Sequence, residues 1–166
     1  MRFVIIGGDA AGMSAASRAK RNRPDIEVTV LEQTGDVSYS ACGMPYNIAD
    51  PDRDINDLVV RQARVFREKQ EIDLRIGHRV TSIDRTTKVV QGETRNGEAF
   101  EVPYEALLFA TGASALLPDF PGVDLPGVVT LKNLEQGRRI KCFWRGMSGG
   151  GKNKKAEPFK TLPKEE

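Results

Sequence analysis

Phe3-Val4-Ile5-Ile6-Gly7-Gly8-Asp9-Ala10-Ala11-Gly12 is the stretch that decides how this chain folds. Four consecutive apolar residues, most of them β-branched, make a strand buried on both faces, as in a parallel sheet. Gly7 and Gly8 end that strand. The alanine-rich run from Ala10 to Arg21 predicts a helix, with Arg18, Lys20 and Arg21 on its later turns, where cations match the negative end of the helix dipole. Pro24 stops its continuation. Glu27-Val28-Thr29-Val30-Leu31-Glu32 predicts a second strand. Strand, helix and strand within about 30 residues form a βαβ unit with a right-handed crossover.

Working outward, Ile55 to Gln70 is amphipathic and reads as one helix. Short strands follow at Asp73 to Ile76 and Arg79 to Ile83. Lys88 to Val90 and Ala99 to Val102 continue as a meander, with Asn96-Gly97 as a tight hairpin turn. Ala106 to Ala110 returns to a buried strand that ends at Thr111-Gly112. The fold class is therefore α/β: a parallel sheet with a small antiparallel β-meander, over residues 1–140.

Residues 141–166 read differently. They are rich in Gly, Lys and Pro and poor in apolar side chains, so they are expected to form a basic, disordered tail. From Arg145 on there are six basic and three acidic side chains, so the chain's net charge of +2 comes from this stretch. With 25 basic against 23 acidic residues overall, nothing calls for a nucleic-acid partner. No run approaches the roughly 18 apolar residues needed to span a bilayer. Met1-Arg2-Phe3 enters a strand at once, unlike a secretory leader, so a cytoplasmic location is expected. Two cysteines, Cys42 and Cys142, and the lone His78 do not have the spacing of a metal site.

The loop Gly7-Gly8-Asp9-Ala10-Ala11-Gly12 can cradle a pyrophosphate. Gly7 permits the tight turn, Gly12 the close packing of helix on strand, and free N–H groups at the helix start face the anion. Asp9 replaces the middle glycine of GxGxxG, and a glycine turn without a ligand reads the same way. Glu32, 20 residues beyond Gly12, stands where the dinucleotide fold needs an acid for the adenosine ribose, and its charge disfavours NADP there. Ser38-Tyr39-Ser40-Ala41-Cys42-Gly43-Met44-Pro45-Tyr46 sets a cysteine before a short helix, an arrangement that favours a thiolate; a buried inert cysteine is the alternative. Leu107-Leu108-Phe109-Ala110-Thr111-Gly112 brings bare backbone to a strand tip.

Together these motifs resemble the pyridine nucleotide-disulfide oxidoreductase family, in its single-cysteine branch of coenzyme A-disulfide reductases, NADH oxidases and NADH peroxidases. The similarity runs from about Arg2 to Ile140, on IIGGDAAGMSAASRAKR, LEQTGDVSYSACGMPYNI and LLFATGASALLP. It implies a Rossmann-like FAD-binding domain over residues 1–140. The implied FAD contacts are Gly7, Gly8, Ala10, Ala11, Gly12, Glu32, Gln33, Cys42, Val80, Ala110, Thr111 and Gly112. Electrons are implied to pass from NAD(P)H through FAD to Cys42, and on to a disulfide or peroxide. Ser14, Arg18, Arg21 and Ser38 fall where relatives contact coenzyme A, although Arg18 and Arg21 also suit a solvated helix face. Ala41 replaces the Asn often found before the cysteine, which leaves the choice of substrate open. Full-length relatives are homodimers with a second glycine-rich loop for NADH. Gly149-Gly150-Gly151 does not match that loop, so a truncated or frame-shifted product, acting as a non-catalytic flavin-binding module, is the alternative expectation.

Overall fold

A strand that is apolar along its whole length needs cover on both faces, and the computed structural model, which describes residues 1–148, provides it. In chain order the elements are β1 (Arg2–Ile6), α1 (Ala10–Asn22), β2 (Glu27–Glu32), α2 (Met44–Ala49), α3 (Ala63–Gln70), β3 (Asp73–Ile76), β4 (His78–Asp84), β5 (Val89–Thr94), β6 (Ala99–Pro103), β7 (Ala106–Phe109) and α4 (Leu134–Ser148). They fall into two compact units. The first is Met1–Ser40 with Asn56–Ala113; the second is Ala41–Ile55 with the described chain from Ser114 on.

The first unit has three layers. A parallel sheet of order β3-β2-β1-β7 lies in the middle. Alternation along β1 sends Ile5 to one face, where it packs with Met13 and Ala16 of α1 and Phe66 of α3. Val4 and Ile6 point the other way, against Val90, Val102 and Tyr104 of the antiparallel β4-β5-β6 meander and its exit. Full burial of each such side chain contributes about 1.5–3 kcal/mol. The Asn96-Gly97 turn is as read: Gly97 has φ +81°, and the Thr94 N–H donates to the Glu98 carbonyl at 2.8 Å. His78 is occupied structurally, with Nδ1 2.9 Å from the Ile76 carbonyl and its ring 5.0 Å from that of Phe100.

Two expectations need correction. The helix read over Ile55 to Gln70 is broken. Ile55–Leu58 is a 3₁₀ turn, α3 begins only at Ala63, and between them Val59 forms an isolated bridge while Val60 and Arg61 are bends. The reason is pairing. Tyr39 bridges Val59, the Ser40 N–H donates to the Leu58 carbonyl at 2.8 Å, and the Val60 N–H to the Ser38 carbonyl at 2.9 Å. The β-branched Val59 accepts this bridge geometry readily.

The boundary expected after Ile140 also falls in the wrong place, inside α4. Leu134, Gly137 and Lys141 lie on one helical face and are all buried. Residues 149–166, the rest of the expected tail, lie outside the described residues. In the second unit, a 3₁₀ turn at Ala41–Gly43 runs into α2, and α4 packs on it through Gly137, where a Cβ would come 2.7 Å from Ile55 Cδ1 and 3.5 Å from Met44 Sδ. No helix among the described residues is long and apolar enough to cross a membrane. No group of three His, Cys, Asp or Glu among them stands ready for a metal.

Candidate functional site

The C-terminal ends of β1, β2 and β7 form one edge of the first unit, with β2 and β7 on opposite sides of β1. In a parallel sheet this reversal opens a crevice above the strand ends. Gly7 sits there with φ +107°, a conformation that favours glycine, and its N–H donates to the Leu31 carbonyl at 2.8 Å. A Cβ on Gly7 would collide with the Ala110 carbonyl, and one on Gly12 with the carbonyl of Gly7. The Ala110 N–H in turn donates to the Ile6 carbonyl at 2.8 Å. Backbone meets backbone at both glycines, with no room for a side chain.

The first hydrogen bond inside α1 runs from the Met13 N–H to the Asp9 carbonyl at 3.0 Å. The N–H groups of Ala10, Ala11 and Gly12 therefore precede it, and Ala10 and Ala11 are exposed. Asp9 supplies no side-chain cap, and its Oδ1 is buried without a hydrogen-bond partner. That oxygen is turned inward, so it leaves the helix end open to an anion. Glu32 is 8% exposed, and its two oxygens accept the Gly8 N–H at 2.6 Å and the Thr34 N–H at 2.7 Å. Each oxygen keeps a further lone pair for a hydroxyl donor. Gly8 is glycine for the sake of this contact, because a Cβ would come 2.9 Å from the Cβ of Glu32. Small residues, open amides and a carboxylate at the neighbouring strand end fit the ADP part of a dinucleotide.

The other candidate residues divide. Thr111 and Gly112 are exposed just beyond Ala110, and Gln33 is exposed beside Glu32. Val80 lies on β4 where the pairing with β5 slips by one residue between Val80 and Ser82, a bulge that takes backbone out of the ladder. Cys42 is exposed in the Ala41–Gly43 turn of the second unit, and Cys142 is exposed on α4.

Ser14, Arg21 and Ser38 share the lining of one cavity in the first unit, with a volume of about 390 Å³. Arg18 and Arg21 are both exposed, but only Arg21 is part of that lining. The cavity adds Tyr39, Arg61 and Phe66, with the Arg61 guanidinium 5.5 Å from the Phe66 ring centroid. Amphipathic periodicity hides Arg61 inside a continuous helix. The β-branched pair before it was the available signal. Ser38 holds the cavity wall in a left-handed conformation, φ +50°, with its carbonyl accepting the Val60 and Arg61 amides.

The chain is similar to known proteins in sequence and in fold. The family model for pyridine nucleotide-disulphide oxidoreductases matches residues 1–149. The NAD(P)H sulfur oxidoreductase (CoA-dependent) of Pyrococcus furiosus is 43% identical over 132 residues, 78% of this chain and 28% of that protein. The NADH oxidase of Methanocaldococcus jannaschii is 31% identical over 140 residues, 84% of this chain and 31% of that one. Among solved structures, an NAD-dependent persulfide reductase from A. fulgidus superposes with a TM-score of 0.82 at 37% identity, over 88% of this chain and 27% of that chain. The chain thus spans less than a third of the length of these relatives. A family match over residues 1–149 makes the chain a member of the pyridine nucleotide-disulphide oxidoreductase family.

Proposed function

We propose that this chain is the FAD-binding part of an NAD(P)H-dependent oxidoreductase that reduces a small disulfide, persulfide or peroxide through Cys42. The observation that carries the reading is the bare-backbone junction of Gly7, Gly12 and Ala110 beside the Glu32 carboxylate. In this reading the amides of Ala10, Ala11 and Gly12 bind the pyrophosphate. Glu32 accepts the adenosine ribose hydroxyls, and the Val80 backbone meets the adenine. Ala110, Thr111 and Gly112 border the cofactor from β7. FAD, when bound, supplies the two-electron relay from NAD(P)H.

The protein's own chemistry is at sulfur. The Cys42 thiolate attacks one sulfur of a disulfide, forms a mixed disulfide and releases the other half as a thiolate. Cys42 is exposed, so a substrate sulfur can reach it. The cavity of Ser14, Arg21 and Ser38, with Arg61, suits a phosphorylated thiol such as coenzyme A. That a relative is named a CoA-dependent sulfur oxidoreductase supports this choice.

Calorimetric titration of the apo-protein with FAD, ADP and NAD tests the cofactor reading. FAD and ADP are expected to compete for one site, with NAD weaker; a preference for NAD over FAD would overturn it. Limiting alkylation read by mass spectrometry tests the thiol, and Cys42 is expected to react ahead of Cys142.

A further inference from the structure

Lys141 is 4% exposed, and its ammonium is enclosed by oxygens. It donates to the Asn47 carbonyl at 2.8 Å, to Asn47 Oδ1 at 3.0 Å, to the Asp50 carbonyl at 2.9 Å and to the Arg53 carbonyl. All four acceptors are uncharged, and all come from the last turn of α2 and the loop after it. Asn47 is 2% exposed and ties the same loop from within, its Nδ2 donating to the Asp54 carbonyl at 2.9 Å. Three ammonium protons serve four oxygens by sharing. A ring of carbonyl dipoles in place of water is the environment proteins offer a monovalent cation.

The ring stands at the weak end of a weak element. A helix of six residues does not hold itself together, and its last carbonyls lack helical partners. Lys141 satisfies that end. One turn earlier on α4, Gly137 packs against Met44 at the other end of α2. Cys42 lies in the turn that runs directly into Met44. Thus α4 grips both ends of the short helix that follows the cysteine.

We propose that these four oxygens form a cation site whose built-in occupant is the Lys141 ammonium, and that Lys141 is a positioning residue for Cys42. This rests on reading Cys42 as the reactive thiol. The site makes two demands: a positive charge and a small size. Potassium, ammonium or ethylammonium meets both, while tetramethylammonium, which has no N–H and is too large, does not.

The experiment uses the full chain with Lys141→Met, which keeps the aliphatic stem, and Lys141→Ala, which opens the ring to solvent. Three quantities are read: hydrogen-exchange protection of the α2 amides, the Cys42 alkylation rate relative to that of the same protein in urea, and ADP affinity. Both variants are expected to lose about ten-fold or more in α2 protection, each factor of ten reporting 1.4 kcal/mol of lost local stability. Their Cys42 rates should move to the urea value while ADP affinity holds. Ethylammonium or potassium should restore protection and rate in Lys141→Ala, and tetramethylammonium at equal ionic strength should not. An unchanged Cys42 rate in Lys141→Met overturns the positioning role. A loss in Lys141→Ala that no small cation repairs overturns the cation site. Failure of ADP to bind the parent protein counts against the cofactor reading and leaves these two outcomes standing.

Discussion

The start of α1 and the end of α2 leave opposite backbone groups without helical partners. At α1 they are the amides of Ala10, Ala11 and Gly12, which precede the bond from Met13 to Asp9, and the nearby Asp9 side chain caps none of them. At the end of α2 they are carbonyls, and the chain answers them itself with the Lys141 ammonium. One end is left open at the surface, next to exposed alanines. The other is closed inside the fold. Unmatched polar backbone groups are costly when buried, so the closed end is structural. The open end can stay open only because it is exposed, and exposure is what a ligand needs. The same rule of helix ends thus separates the proposed binding site from a brace.

The comparison breaks most sharply at Gly7. Gly7→Ala forces a left-handed alanine against the Ala110 carbonyl and should cost about 4 kcal/mol of stability, with loss of ADP binding, in urea denaturation and calorimetry. At the closed end, Lys141→Met leaves buried carbonyls without a donor. It should cost about 3 kcal/mol by the same denaturation assay while ADP still binds. Loss of ADP binding in that variant would erase the distinction between the two ends.

Glu32→Gln sharpens the open end. It places an amide N–H₂ against the Gly8 or Thr34 N–H, and should cost about 2 kcal/mol while weakening ADP about ten-fold. Equal weakening of inorganic pyrophosphate would show that the carboxylate acts on the loop and not on the ribose. The neighbouring cavity offers a pairwise test. Arg21→Ala should weaken coenzyme A about five-fold or more and Arg18→Ala about two-fold or less, since only Arg21 lines the cavity. The smallest expected effect is a gain. Asp9→Ser removes a buried oxygen without a partner and provides a cap for α1, worth about 1 kcal/mol in thermal denaturation.

The α1 end was legible from composition because its requirements are local. A glycine is needed where a Cβ meets a carbonyl, and apolar strand, turn and helix follow within one short run. Glu32 was legible for the same reason, since it ends the next strand. Ser14, Arg21 and Ser38 came as a group from the family resemblance, and the structure brings these three to one cavity while leaving Arg18 outside it.

Arg61 and Lys141 were not legible, and the cause is the same for both. Amphipathic periodicity treats residues 55–70 as one helix, because it weighs each residue against its own neighbours. The pairing of residues 38–40 with 58–60 joins positions about twenty apart, and only that pairing breaks the helix and turns Arg61 to the cavity. Lys141 looked like the first residue of a basic tail. The four oxygens that make its burial tolerable lie nearly ninety or more residues earlier, and no local pattern announces them. The sequence by itself determined the parallel α/β sheet, the glycine loop and the cysteine turn, because backbone sterics and burial period act over a few residues. The tertiary structure alone decided which arginines share a cavity, because long-range pairing sets where Arg61 stands, and which lysine belongs to the core, because a charge is buried only where distant groups have been brought together to receive it.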